Sequence, residues 1–516
     1  MKERNLLVWL LAAFPLHAAL TPPMGWSSWN SFSNTVDSVN VSEQAKAMVS
    51  TGMKAAGYRY VNIDEGWWLG DRDRNGNIIV NAEQWPALQA GEHAGDMSNI
   101  VRYIHSLGLK AGIYTDAGES GCSFYGPDLG PPKPHTGSEG HYEQDFLQFA
   151  KWGFDYVKVD WCGGNKENLD PATQYREIAR AIAKAETEAG RALFFSICNW
   201  GKQSPWTWAP GIGNVVTDIW RTSGDIVAPI VANSANSGRR ASFRGMLGNF
   251  DAGIHPEAQH TGFFNDPDMM VLGMPGLSDA QNRVHMSLWA ISGAPLLAGA
   301  DLTKLSDTTR TILTNSEVIA VDQDALGLQC VKAAEPTAGV QVWVKRLAGA
   351  GQRAVVLLNR TKTEAAVTIK PNELGLSPAR ELHVRDLWAH RDEGPVRSYT
   401  TTVPAEHTVM VLVRGGEDKG VEYKAANNLT FADVLSPGRS AYLRIAYSND
   451  DRAPRLAELR VNGATGTAVV FPPAAEGAIT VEANFKAVGE KNTVTFSAPC
   501  GPAPVLHSIT VLSGAP

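Results

Sequence analysis

The chain has 516 residues, 44% of them hydrophobic, which is enough for two to four folded domains and excludes a disordered chain. Its 46 Lys and Arg against 53 Asp and Glu leave a net charge of −7, spread without basic clusters, which removes the electrostatic case for nucleic acid. Five cysteines allow at most two disulfides, and the 15 tryptophans suit sugar stacking as well as ordinary cores.

Residues 1–19 read as an export signal. Lys2 and Arg4 precede the apolar stretch Leu6 to Phe14, and Leu16-His17-Ala18 offers a small residue before a cut near Ala18 or Ala19. That stretch is too short to span a bilayer, and no later one is long and apolar enough to do so. The expectation is an exported protein, extracellular or periplasmic, with no membrane span.

From residue 20 to about 320 strand and helix patterns alternate. Eight strand-like runs are Met24–Trp29, Arg59–Gly66, Leu109–Ala117, Phe154–Trp161, Leu193–Trp200, Val216–Asp225, Phe263–Val271 and Ser292–Ala300. Helical spacing occupies Ser42–Ala56, Met97–Leu107, Tyr142–Lys151, Pro171–Glu188, Arg240–Leu247 and Ser278–Ile291. This predicts an α/β fold, a (β/α)8 TIM barrel, with a doubly wound open sheet as the alternative. Polar residues at nearly every strand's C-terminal end favour the barrel. From 321 to 414 the helices give way to short strands, which predicts an antiparallel β domain. Gly415 to Gly420 reads as a linker or exposed turn. Residues 421–516 again read as short strands and predict a β-sandwich.

In a barrel, functional groups gather at the C-terminal strand ends. The fourth strand ends Lys158-Val159-Asp160-Trp161-Cys162-Gly163-Gly164. Alternation puts Lys158 and Asp160 on one face, and a neighbouring ammonium favours the ionised carboxylate that a nucleophile needs. The second strand ends Asp64-Glu65-Gly66-Trp67-Trp68, acids beside aromatics, which suits a sugar. Other strand ends supply Tyr114-Thr115-Asp116, Cys198-Asn199-Trp200, Arg221 with Ser223 and Asp225 on one alternate face, and Asp266-Pro267-Asp268. A single such acid reads more readily as a cap or turn residue, but acids at five strand ends resist that reading. Gly211-Ile212-Gly213 lacks the third glycine of a dinucleotide loop. No His-x-x-x-His pair occurs, so neither a catalytic metal nor a cofactor is expected.

The segment Pro22-Pro23-Met24-Gly25-Trp26-Ser27-Ser28-Trp29-Asn30 resembles the opening of the clan-D α-galactosidases, glycoside hydrolase family 27. Asp64 to Trp67, Lys110 to Tyr114, Lys158 to Asp160, Trp220-Arg221 with Asp225, Asn265 to Met269 and Trp289 to Leu296 extend the resemblance from about Leu20 to Arg414. It implies a retaining exo-glycosidase acting on an oligo- or polysaccharide by double displacement, with Asp160 as nucleophile and Asp225 as general acid/base. Burial and negative neighbours should raise the Asp225 pKa for that role. Trp29, Asp64, Glu65, Tyr114, Lys158, Arg221 and Asp268 match positions that contact the sugar in subsite −1. Cys122 and Cys162 match a family disulfide. Cys198 matches a bridged position whose partner is missing near Thr217, so a free thiol is expected there.

Two departures bear on the substrate. The family's galactosidases commonly carry Asp-Asp where this chain has Asp64-Glu65, and Glu where it has Asn199. The first resembles the β-L-arabinopyranosidase branch, whose sugar is α-D-galactose without the hydroxymethyl group. A methylene-scale misfit is worth about 1–3 kcal/mol, roughly 10–200-fold in rate, so Glu65 should bias substrates rather than exclude galactose. Asn199 keeps hydrogen bonding near the sugar 2-position, and its size argues against the alternative of an α-N-acetylgalactosaminidase. A catalytically silent sugar-binding protein is the alternative from another class. Residues 421–516 resemble carbohydrate-binding modules of the 35/6 type through Leu443-Arg444-Ile445-Ala446-Tyr447 and Asn492-Thr493-Val494-Thr495. They contain no Trp, so a purely structural role is an equal expectation there.

Overall fold

The computed structural model describes residues 21–126, 131–210, 219–226, 241–260, 262–417, 420–425, 429–438, 440–451, 455–471, 474–498 and 502–512. The expected export signal and the segment Gly211-Ile212-Gly213 lie outside them.

Eight parallel strands form the barrel sheet: β1 (Met24–Ser27), β2 (Tyr60–Asn62), β3 (Lys110–Asp116), β4 (Tyr156–Asp160), β5 (Phe194–Cys198), β6 (Ile219–Arg221), β7 (Phe264–Asp266) and β8 (Leu296–Ala298). Each of β1 to β6 pairs with its successor, and β8 pairs back onto β1 through Met24↔Leu296. A parallel bridge Met270↔Ala298 joins the chain after β7 to β8 and closes the ring. The pattern of β4 shows why the sequence folds this way. Val157 and Val159 are fully buried on the helix side, while Tyr156, Lys158 and Asp160 alternate with them toward the barrel axis. At the N-terminal end the Tyr156 and Phe194 rings stack with centroids 5.3 Å apart, and Ile219 and Phe264 complete an apolar plug. The polar end of the barrel is therefore the C-terminal one.

Element boundaries differ from expectation where a cap or turn decides them. The second helix is Ser38–Ser50 rather than Ser42–Ala56, because Asp37 caps it by accepting from the Asn40 N–H at 2.7 Å. Ser292, expected to open the eighth strand, ends the helix Asp279–Ser292, and the chain turns at Gly293 with φ +60° before β8 begins. A hairpin of Trp68–Arg72 and Ile78–Val80 has no counterpart in the sequence reading. Asp73 closes it by accepting from the N–H groups of Asn75 and Asn77 at 2.8 and 2.9 Å. Arg72 then pins it to the barrel with a two-pronged ion pair to Asp145.

After the barrel, a six-stranded antiparallel sheet with a separate two-stranded ribbon packs Trp343, Val356, Leu358 and Met410 into the same core as helix Asp279–Ser292. The stretch expected as a free linker is fastened to this sheet. Glu417 ion-pairs with the fully buried Arg353 at 2.8 Å and accepts from the Gly351 N–H at 2.8 Å. The last segment forms two four-stranded antiparallel sheets around Leu443, Ile445, Phe471 and Phe496. Tyr442 and Leu512 reach out of it into the core of the preceding sheet. The Val470 N–H donates to the Glu257 carbonyl of the barrel at 3.3 Å. Among the described residues no helix is long and apolar enough to cross a membrane.

Candidate active site

Asp160 is the last residue of β4 and only 6% exposed. Its Oδ1 accepts from the Trp161 N–H at 2.9 Å. Lys158 lies two residues earlier on the same face, yet its Nζ sits closer to Asp64 (2.9 Å) than to Asp160 (3.8 Å). The expected Lys158–Asp160 pair is thus a triad in which Asp64, on the turn after β2, holds the ammonium. Burial pushes the Asp160 carboxyl above the ordinary carboxylate range. Lys158 opposes the rise, and Asp64 and Asp225 add to it. Lys158 stays charged despite burial, because the Asp64 and Asp160 carboxylates beside it hold its proton. Its Nζ also stands 5.2 Å from the centre of the Tyr114 ring, a cation–π contact that positions Tyr114 at the same wall.

The second acidic group is built around Arg221, the last residue of β6. Its Nη1 reaches Asp268 Oδ1 at 3.0 Å, and its Nη2 donates to Asp225 Oδ1 at 3.1 Å and to the Ser223 carbonyl at 3.0 Å. Asp225 therefore meets Arg221 because the chain turns after Arg221, not through strand alternation. Asp225 is 47% exposed, so it lacks the burial expected for it. Asp268 has a φ of +103°, a rare backbone state for a side-chain-bearing residue. Three contacts hold it there: its N–H donates to Asp266 Oδ1, its Oδ2 accepts from the Ile226 N–H, and its carbonyl accepts from Trp289 Nε1, each at 2.9 Å.

Trp29 is half-buried at the start of the short helix after β1. Asn199 follows β5 and is fully buried; its Nδ2 donates to the Lys202 carbonyl at 2.8 Å, and its Oδ1 has no hydrogen-bond partner among the described residues. Cys122 and Cys162 form a disulfide, while Cys198 carries a free buried thiol 3.7 Å from Arg221 Nη1. The structure thus brings all ten sequence-selected side chains to one end of the barrel.

Two residues outside that set matter. Asp116 ends β3 in register with Asp160 and accepts from the N–H groups of Gly118, Cys162 and Gly163 at 2.8, 2.7 and 3.0 Å. It fixes the turn that carries the disulfide. The polar atoms of Asp116, Cys122, Asp160 and Cys162 lie within 4.8 Å of one another, but the two sulfurs are joined covalently and offer no thiolate. Ser123 is the other. Its N–H and Oγ both donate to Glu65 Oε1, at 2.8 and 2.6 Å. The acid at the end of β3 signalled Asp116 in the sequence; nothing but adjacency to Cys122 signalled Ser123.

Burial pushes the Glu65 carboxyl up to about 7, against the two Ser123 hydrogen bonds and with help from Asp160 and Asp64. Its pKa in the fold lies above the ordinary value of 4.5. The protonated form is therefore favoured by folding, and that advantage is complete below the unfolded pKa and lost as pH rises through the folded one. Glu65→Gln, neutral at every pH and able to keep the acceptor for Ser123, should match the wild-type Tm near about pH 4 and exceed it near about pH 8. Equal Tm differences at both pH values in thermal melts would count against a buried, titrating Glu65.

Residues 21–324 match a family described as Alpha galactosidase A, and residues 337–413 match an Alpha galactosidase C-terminal beta sandwich domain. Residues 424–511 match an Alpha-galactosidase CBM13 domain, which differs from the 35/6-type module implied by the sequence resemblance. An alpha-galactosidase of Cyamopsis tetragonoloba is 38% identical over 393 residues, 76% of this chain and 86% of that protein. The crystal structure of alpha-galactosidase I from Mortierella vinacea superposes with a TM-score of 0.66 at 29% identity, covering 79% of this chain and 99% of that one. A family 27 β-L-arabinopyranosidase from Geobacillus stearothermophilus shares the fold, with a TM-score of 0.61 at 22% identity over 78% of this chain and 98% of that one.

Proposed function

The chain belongs to the alpha-galactosidase family, glycoside hydrolase family 27, and from that membership we propose a retaining exo-glycosidase that works through Asp160 and Asp225. Its substrates are terminal α-D-galactosyl and the equivalent β-L-arabinopyranosyl residues of oligo- or polysaccharides. The observation that carries this reading is the pairing of each acid with a buried cation at one barrel mouth: Asp160 with Lys158 at 3.8 Å and Asp225 with Arg221 at 3.1 Å.

In the first step Asp160 attacks the anomeric carbon while Asp225 gives its proton to the glycosidic oxygen, and the bond to the leaving group breaks. In the second, Asp225 takes a proton from water, whose oxygen displaces Asp160 from the sugar. Retention in two steps needs the carboxyl groups about 5–5.5 Å apart in the loaded enzyme. The exposure of Asp225 suits its role, since leaving group and water both arrive from its side. Arg221, fixed by Asp268, orients the acid. Lys158 on β4 and Asp64 on the turn after β2, joined at 2.9 Å, supply a donor and acceptors for the sugar hydroxyls. The signal-like residues 1–19 and the Cys122–Cys162 disulfide support export of the enzyme.

Glu65 sets the choice between the two sugars. Its carboxylate, one methylene longer than the common Asp, fills space that the galactose hydroxymethyl needs. Rates on nitrophenyl α-D-galactoside and nitrophenyl β-L-arabinopyranoside, measured side by side, should show the arabinopyranoside cleaved at least as well. Glu65→Asp should raise the galactoside-to-arabinopyranoside ratio of kcat/KM by about 10–200-fold. An unchanged ratio would make the enzyme a plain α-galactosidase.

A further inference from the structure

We propose that Ser123 is a specificity-determining positioning residue, which anchors the Glu65 carboxyl to the disulfide loop and so makes it an unyielding wall of the sugar pocket. The proposal rests on Glu65 setting the sugar preference.

Extra length discriminates only when the longer side chain cannot move away. A carboxylate on two methylenes can rotate into another rotamer at a cost smaller than the misfit it would otherwise impose, and the discrimination would vanish. In this chain rotation is blocked. Ser123, 1% exposed, places two donors on one oxygen, Oε1, at 2.8 and 2.6 Å. Two donors on one oxygen fix its position from two directions, so turning the carboxyl away breaks both bonds at once. Oε2 is buried and has no hydrogen-bond partner among the described residues, so within them Ser123 alone fixes the carboxyl by hydrogen bonds. Gly121 leaves room for the approach: a Cβ there would stand 2.6 Å from Glu65 Oε1 and 2.8 Å from the Trp68 ring.

The anchor is itself fixed relative to the nucleophile. Ser123 follows Cys122, whose sulfur is bonded to Cys162, two residues beyond Asp160. Cys122, Cys162, Asp116 and Asp160 present their polar atoms within 4.8 Å of one another. Asp116 secures the loop from below through the Cys162 and Gly163 N–H groups. The position of the Glu65 carboxyl is thus referenced, through Ser123 and one disulfide, to the carboxylate that attacks the sugar.

The test is kcat/KM on nitrophenyl α-D-galactoside and β-L-arabinopyranoside for the wild type, Ser123→Ala, Ser123→Thr, Glu65→Asp and the Ser123→Ala/Glu65→Asp double variant. Ser123→Ala, which keeps the backbone donor and loses the hydroxyl, should move the ratio toward the galactoside by roughly 10-fold, inside the range of Glu65→Asp. Ser123→Thr restores the hydroxyl and the wild-type ratio. In the Glu65→Asp background the Ala substitution should change the ratio no further, since the two act as one unit. Should the Ala variant not fold, Ser123→Val, which has the shape of the Thr variant without its hydroxyl, gives the same arm. Equal losses on both glycosides in Ser123→Ala, beside a shifted ratio in Glu65→Asp, overturn the role of Ser123 alone. An unshifted ratio in Glu65→Asp overturns the role of Glu65 and the Ser123 anchor with it.

Discussion

Asp160→Ala should lower kcat/KM by roughly 10⁴–10⁶-fold while the fold survives, the scale seen when the attacking group of a covalent mechanism is removed. The loss is large because nothing near Asp160 can replace it. Asp64 is engaged by Lys158 at 2.9 Å, and Asp116 by three backbone N–H groups. The fold should tolerate the change because, among the described residues, the Asp160 side chain accepts one hydrogen bond, from the neighbouring Trp161 N–H, and Lys158 keeps its closer partner Asp64. The truncation opens a space lined by Lys158 that a small anion can enter. Azide should therefore restore turnover, and because it attacks from the face that Asp160 occupied, in one step, the product should have inverted configuration. Rates like those of the wild type would remove Asp160 from the mechanism.

Asp225→Ala should cost about 10²–10⁴-fold, the range for loss of a general acid/base, with a dependence on the leaving group that Asp160→Ala lacks. A nitrophenolate departs without a proton, so glycosylation should survive on nitrophenyl substrates and hydrolysis of the glycosyl-enzyme should become limiting. A natural glycan, whose alkoxide needs the proton, should lose both steps. Azide, which needs no deprotonation, should intercept the accumulated intermediate and give a product of retained configuration. The opposite stereochemistry of the two azide products separates the two carboxylates by role. An equal loss on nitrophenyl and natural substrates would place Asp225 outside proton transfer. Arg221 should remain in place in this variant, since Asp268 holds it at 3.0 Å independently.

The barrel was legible because its strands carry period-two patterns with buried valines, as in Val157 and Val159, and because its acids fall at strand ends. Boundaries were harder where two caps compete: Ser42 looked like a helix start, but Asp37 lies where the chain leaves the preceding turn and takes the Asn40 N–H. The hairpin after Trp68 escaped because its first strand, Trp68–Arg72, carries Gly70 and charged residues. The site was legible as a set of residue types but not as a set of partners. The sequence paired Lys158 with Asp160 because they are two residues apart, while the fold gives Lys158 to Asp64, 94 residues away. Likewise Ser123 reaches Glu65 across 58 residues, a contact without any local pattern.

The most direct measurement of the central claim is covalent labelling. The enzyme is incubated with a mechanism-based galactose epoxide, digested, and its peptides weighed. A two-step retaining mechanism predicts one sugar adduct, on Asp160, with activity lost in proportion to the label. Turnover that continues without label on Asp160, or an adduct on another carboxylate, would contradict the account; no label together with no turnover on either glycoside would mark a sugar-binding protein instead.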